Sequence, residues 1–268
     1  MMEFYTGRLP AGFKYVGQDN YCIYDLEAEK QTPYSYLYSD SATSCIIVIA
    51  IGESMKNGHK TVCMAHLSRL QRFDAFFQLM TKTLKQGVYL YAQGANPVSD
   101  STTQTSTQNV IILMQNLQSI INANSAYFAT LSISVGQGNP NCGWGTYGVS
   151  VDAASADYLQ PTNRYYELSN TDRCTAQGVQ TLFCVYGLKT MNIHPEQLFI
   201  LHNTDELEFP KNEIKTLVDR AIADDFTQIC DMTDDEILTK YSSTPQYEAA
   251  WFCATMREAA EFANNYYK

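Results

Sequence analysis

An α/β fold is what this sequence predicts, and three observations predict it. Cys45 to Ile51 is an unbroken apolar, largely β-branched run, the mark of a strand buried on both faces. Phe73, Phe76, Phe77, Met80 and Leu84 recur at helical spacing. Phe128 to Val135 then alternates, Leu131, Ile133 and Val135 against Thr130, Ser132 and Ser134, as a half-buried strand does. Strand and helix patterns follow one another along one stretch of chain, which is the order of a layered α/β domain.

Taken in order, the strand beginning at Ser44-Cys45 ends before a polar segment, Glu53 to Lys60, whose Asn57-Gly58 pair signals a tight turn. Thr61 to Leu67 returns as a second strand, so the two form a β-hairpin. The Phe73–Leu84 helix stops before Gly87, a C-terminal glycine. Val88 to Ala92 is a short strand leading into the loop Gly94-Ala95-Asn96-Pro97. The Ser/Thr/Gln tract Ser99–Thr107 runs into Val110, Ile111, Met114, Leu117, Ile120 and Ile121, a loop followed by an amphipathic helix. Gly136 to Gly145 is turn-rich, and Tyr147 to Asp152 is a further strand. From Ala153 the texture changes: Leu182–Leu188 and Leu198–Leu201 read as short strands, Lys211–Ile222, Thr233–Leu238 and Tyr247–Tyr266 as helices. The domain organisation expected is an N-terminal segment 1–25, a domain 26–156 and a mixed α/β extension 157–268 that recruits a target or forms a lid.

Composition removes several function classes. The net charge is −10, from 28 acidic and 18 basic residues, so the clustered Lys and Arg that neutralise nucleic-acid phosphates are missing. No stretch approaches the roughly 18 apolar residues of a membrane span. Met1 to Gly12 has no apolar core of a signal peptide, and eight cysteines without one predict a reducing compartment. No two cysteines have the close spacing of a zinc ribbon, and the four histidines, at 59, 66, 194 and 202, form no helical metal pair; neither metal nor cofactor is expected.

Cys45, at the mouth of the first strand, and His66, on the second, are the candidate nucleophile and base. A hairpin folded at Asn57-Gly58 brings them onto adjacent strands, within the ~5 Å of cross-strand neighbours. Backbone N–H groups of the loop entering the strand could face an oxyanion. Asn141-Cys142-Gly143-Trp144 is similar to a papain-like pattern, but the chain continues as strand rather than helix. His202, beside Asn203 and Asp205, reads as a loop cap, and His59 as a solvated turn residue.

These motifs resemble those of the CheD family, deamidases of glutamine side chains on chemoreceptors. The residues that carry the likeness are Ser44-Cys45-Ile46-Ile47-Val48 and Met64-Ala65-His66. Phe73–Leu84, Gln93-Gly94-Ala95-Asn96, Asn109–Ile121, Phe128–Val135 and Tyr147–Asp152 follow in the family's order. The likeness covers about half of the chain. It implies a CheD-like layered α/β sandwich, a Cys45–His66 pair, and a hydroxyl on the histidine, for which Ser39 holds the family's threonine position and Thr43 is the alternative. It also implies substrate-binding positions at Ser44, Gly94 and Asn96. Thr43 stands where the family has glycine, and the hairpin turn is longer than in the chemoreceptor enzymes. The same Thr–Cys–His arrangement occurs in bacterial lethal-factor toxins. The divergence and the C-terminal extension therefore imply an effector, made in the bacterial cytoplasm and delivered to a host cytosol by a specialised secretion system. Its partner would be a protein bearing an exposed glutamine. A cysteine peptidase, a transglutaminase and a non-catalytic binding module are the alternatives.

Overall fold

The computed structural model describes residues 12–28, 34–95, 104–136, 145–155, 158–166, 168, 177–186, 194–195, 211–242 and 244–268. The chain divides into two compact units, Met1–Glu167 with Asn192–Glu196, and Leu168–Met191 with Gln197–Lys268. The first unit thus extends past both expected limits, 26 and 156.

Among the described residues nine strands belong to the first unit: β1 (Phe13–Tyr15), β2 (Asn20–Asp25), β3 (Tyr36–Ser39), β4 (Ile46–Glu53), β5 (Lys60–Leu67), β6 (Val88–Gly94), β7 (Phe128–Val135), β8 (Tyr147–Ser150) and β9 (His194–Pro195). The described residues of this unit also form the helices α1 (Leu70–Thr83) and α2 (Gln104–Ala123). Six strands form one sheet in the order β7-β6-β4-β5-β2-β9, and three form another, β1-β3-β8. The β4 strand is central and antiparallel to both its neighbours, β5 and β6, whereas β6 and β7 run parallel across α2. That crossover is why a helix must separate β6 from β7 in sequence.

The central strand shows how the layers arise. Ile46, Val48 and Ala50 face a core shared with Phe73, Phe76, Phe77 and Met80 of α1 and Leu113 and Leu117 of α2. Ile47, Ile49 and Ile51 face the opposite way, into a core with Leu37 and Val149 of the smaller sheet. Because successive side chains alternate, a run apolar at every position is the only pattern that satisfies both interfaces. Helices, large sheet and small sheet are therefore three layers of an α/β fold.

Four elements differ from the sequence expectation. The segment 12–25, set apart from the domain, supplies β1 and β2, and β2 pairs along β5. The β7 strand is an edge strand, and Leu131 is exposed rather than inward. Leu182–Leu188, read as strand, lies largely in a helix, α3 (Gln177–Tyr186). Its apolar cluster buries Val179, Leu182 and Tyr186 on one helical face, and Gly178 lets it approach Phe262 closely. As a result the described residues of the second unit hold helices only: α3, α4 (Lys211–Ala223), α5 (Asp234–Tyr241) and α6 (Phe252–Asn265), with a 3-10 turn at Phe226–Asp231. The expected mixed α/β extension is helical there. Leu198–Leu201 lies outside the described residues.

Inside that unit, Asp234, Asp235 and Glu236 occupy the first turn of α5, where carboxylates favour the helix N-terminus. Thr233 and Glu236 form a reciprocal capping box. Among the described residues no helix is long and apolar enough to cross a membrane.

Candidate functional site

His66 lies near the end of β5, directly opposite Ile47 on β4. Cys45 precedes Ile46, the first residue of β4, and joins the same apolar layer as Ile47, Ile49, Val62 and Met64. Cys45 and His66 thus share one face of the large sheet, the face turned to the small sheet. They are not direct cross-strand partners: the register offsets them by two residues, a diagonal relation with a Cα separation of about 7–8 Å rather than ~5 Å. The reason is the hairpin turn. Gly58 takes a left-handed φ of 76°, and the last bonds before the turn are Ser54 N–H to His59 O at 2.8 Å and Gly58 N–H to Ser54 O at 2.9 Å. This centres the hairpin between residues 56 and 57 and puts Ile47 across from His66.

The small sheet supplies the third member. Ser39 closes β3, opposite Tyr147 of β8, and its Oγ lies 2.9 Å from His66 Nδ1. Ser39 is fully buried and His66 nearly so. The other ring nitrogen, Nε2, is buried and has no hydrogen-bond partner among the described residues. No hydrogen bond therefore joins Nε2 to the Cys45 thiol in this conformation. Burial pushes the imidazole pKa down to about 3, so the ring is neutral at pH 7. Nδ1 is tied to Ser39 and Nε2 is left over, which is the arrangement a general base needs.

The loop that delivers Cys45 is held from three sides. Asn109, buried on α2, donates from Nδ2 to the Ser44 carbonyl at 2.7 Å. Ala95 N–H donates to the Cys45 carbonyl at 2.7 Å. Ala42 N–H bonds Gly145 O and Thr43 N–H bonds Ser41 O, so these two donors are already committed and do not face an oxyanion. Ser41 and Ala95 both adopt left-handed φ, 56° and 54°, a cost of about 1–3 kcal/mol each that clusters around the cysteine.

Each sequence candidate can now be placed. Cys45, His66 and Ser39 gather at one place between the two sheets. The hydroxyl at Nδ1 is that of Ser39, and Thr43 is buried in the loop ahead of the cysteine. Ser44 presents its carbonyl to Asn109 rather than outward. Gly94 acts by having no side chain: a Cβ there would stand 2.3 Å from the Cys45 carbonyl oxygen, and its φ is 130°. It is a close-approach glycine that lets β6 lie against the Cys45 carbonyl. Asn96, Cys142, His202 and Asp205 lie outside the described residues. His59, expected in solvent, is tied to Asp25, with Nδ1 3.0 Å from a carboxylate oxygen.

Sequence reasoning missed several polar residues around the site. Asp19, buried after β1, donates its N–H to the His66 carbonyl at 2.7 Å and accepts from Ser68 Oγ at 2.6 Å. Arg72 of α1, also buried, places Nε 3.7 Å from the same carboxylate. Burial outweighs Arg72 and raises the Asp19 pKa above the ordinary carboxylate range. Gln93 on β6 and Asn20 on β2 each carry a buried amide atom, Oε1 and Nδ2, with no hydrogen-bond partner among the described residues. Polar letters at strand positions that the alternation assigns to the interior were the available signal. Among the described residues no group of three or more His, Cys, Asp or Glu is gathered to hold a metal. No protein-family model matches this chain, and no curated protein matches it.

Proposed function

We propose that this protein hydrolyses the side-chain amide of a protein glutamine, with Cys45 as nucleophile, His66 as base and Ser39 as the residue that orients the ring. The observation that carries this reading is the buried Ser39–His66 bond at 2.9 Å, which leaves Nε2 unpartnered on the sheet face that Cys45 shares. Buried polar atoms without partners are rare and call for an explanation, and an incoming reactant is one.

In this reading Nδ1–H donates to Ser39 Oγ, so Nε2 holds the lone pair. The thiol turns toward Nε2 as substrate enters and gives up its proton, and sulfur attacks the carboxamide carbon. The tetrahedral intermediate collapses, ammonia leaves with the proton from His66, and a thioester remains. Water, activated by the same ring, cleaves it to glutamate and restores the thiol. A neutral buried imidazole makes this proton transfer part of the attack rather than a standing ion pair. The implied setting is that of a bacterial effector meeting a host protein, with the helical unit taking part in target selection.

A competing reading, an inert core pair in a binding module, is favoured by one observation, the missing hydrogen bond between Nε2 and Cys45. Intact-mass spectrometry of candidate protein targets separates the two. Wild type should add about 1 Da per converted amide as ammonia is released, and Cys45→Ser and His66→Ala should each abolish it, since the residues act as a unit. Amide conversion that survives Cys45→Ser would end this reading.

A further inference from the structure

Resting on the deamidase reading, the unsatisfied Gln93 gives the site a place for the substrate's amide. Gln93 and His66 lie directly opposite Ile47 from either side of β4, so the three form one row across the sheet. Alternation along β6 turns Leu90 and Ala92 to the helix layer. Gln93 follows Tyr91 to the other face, where Tyr91 packs against the apolar cluster that includes Ile47 and Cys45. Cys45, two residues before Ile47, is thus flanked diagonally by His66 on one strand and Gln93 on the other. Gln93 is 8% exposed, and its Oε1 is buried with no hydrogen-bond partner among the described residues.

An orphaned acceptor beside a nucleophile selects for a donor on the group attacked. A primary carboxamide brings two N–H donors, whereas an ester, a tertiary amide or a carboxylate brings none. We propose that Gln93 Oε1 accepts a hydrogen bond from the NH2 of the substrate carboxamide and so makes the site select amides that carry an N–H over esters, tertiary amides and carboxylates. The bond also aims the leaving nitrogen away from the sulfur. After hydrolysis a glutamate oxygen would face Oε1, acceptor against acceptor, which favours product release.

The test compares alkylation of Cys45 by iodoacetamide and by N,N-dimethyl-iodoacetamide, neutral reagents that differ in the N–H donors. Rates are read by peptide mass spectrometry at one pH, where their ratio cancels the thiolate fraction, and that ratio is divided by the glutathione ratio, which cancels the reagents' intrinsic reactivities. One hydrogen bond predicts a normalised ratio of roughly three- to tenfold in favour of iodoacetamide. Gln93→Met, which keeps an unbranched side chain but no strong acceptor, should bring the ratio down to whatever bulk alone produces. Gln93→Glu, which keeps an acceptor oxygen, should retain it. A ratio unchanged in Gln93→Met, or lost equally in Gln93→Glu, overturns the assignment of Gln93 while leaving Cys45 as nucleophile. The thiols of Cys63 and Cys253, both buried, and of half-buried Cys230, whose pKa values burial pushes up, are internal references. If wild-type Cys45 reacts no faster than these with either reagent, the deamidase reading falls and this proposal falls with it.

Discussion

Replacing Ser39 by alanine removes one oxygen and tests the whole geometry of the site. The hydroxyl lies 2.9 Å from His66 Nδ1, with both side chains buried, so no solvent stands ready to replace it. A buried donor left without a partner costs about 1–3 kcal/mol. In a unit of this size that lowers the melting temperature by about 2–4 °C for each kcal/mol. The catalytic loss comes on top of this. Without a partner at Nδ1 the ring is no longer held in one tautomer, and a misorientation worth about 1.4 kcal/mol slows turnover tenfold. The decisive assay is nitrogen-15 NMR of the histidine rings, which distinguishes the two neutral tautomers. Wild-type His66 should carry its proton on Nδ1 at pH 7, and Ser39→Ala should give a mixture, whereas Ser39→Thr should keep the wild-type pattern. A wild-type ring protonated on Nε2 would refute the reasoning, because the nitrogen facing the cysteine layer would then have no lone pair to offer.

Two further outcomes follow from the same site. His66 has its pKa depressed from 6.5 to about 3 by burial, so the unfolded chain binds a proton that the folded one refuses. Its contribution to stability is complete above pH 6.5 and is lost as pH falls toward 3, at about 1.4 kcal/mol per pH unit. Chemical denaturation at stepped pH should show that slope, and His66→Gln should remove it; an identical slope in the variant would contradict the burial argument. Gly94→Ala puts a methyl 2.3 Å from the Cys45 carbonyl at a φ of 130°, and should cost about 3 kcal/mol and displace the Cys45 loop. A variant that melts and alkylates at Cys45 like wild type would show that the loop is not held by that approach.

The strands and helices that frame the site were legible because their signals are local. The apolar run of β4, the helical spacing of α1 and the turn at Asn57-Gly58 each depend on neighbours a few residues apart. Those signals also made Cys45 and His66 a pair, because a hairpin allows few ways of placing two adjacent strands. What they could not settle was register. Placing His66 across from Ile47 instead of Cys45 is the work of the bonds between Ser54, Gly58 and His59, and it changes a direct neighbour into a diagonal one.

Long-range packing decided the rest. Leu182–Tyr186 is apolar enough for a strand and becomes helix because α6 and Phe226 offer it a helical face to bury. The short strands β1 to β3 have little pattern of their own and are held by their partners: β2 by β5, and β3 by β1 and β8. Ser39, Gln93, Asn109, Asp19 and Arg72 read as ordinary polar residues until two sheets and a helix layer close over them. The sequence by itself determined which groups the chain has for chemistry and that Cys45 stands at the mouth of the strand that pairs with the strand of His66. Only the tertiary structure decided that Ser39 reaches Nδ1 from a second sheet and that Nε2 and Gln93 Oε1 stay unpaired on either side of Cys45. The physical reason is that a polar side chain acquires a role by losing water, and which side chains lose water is a property of the packed layers.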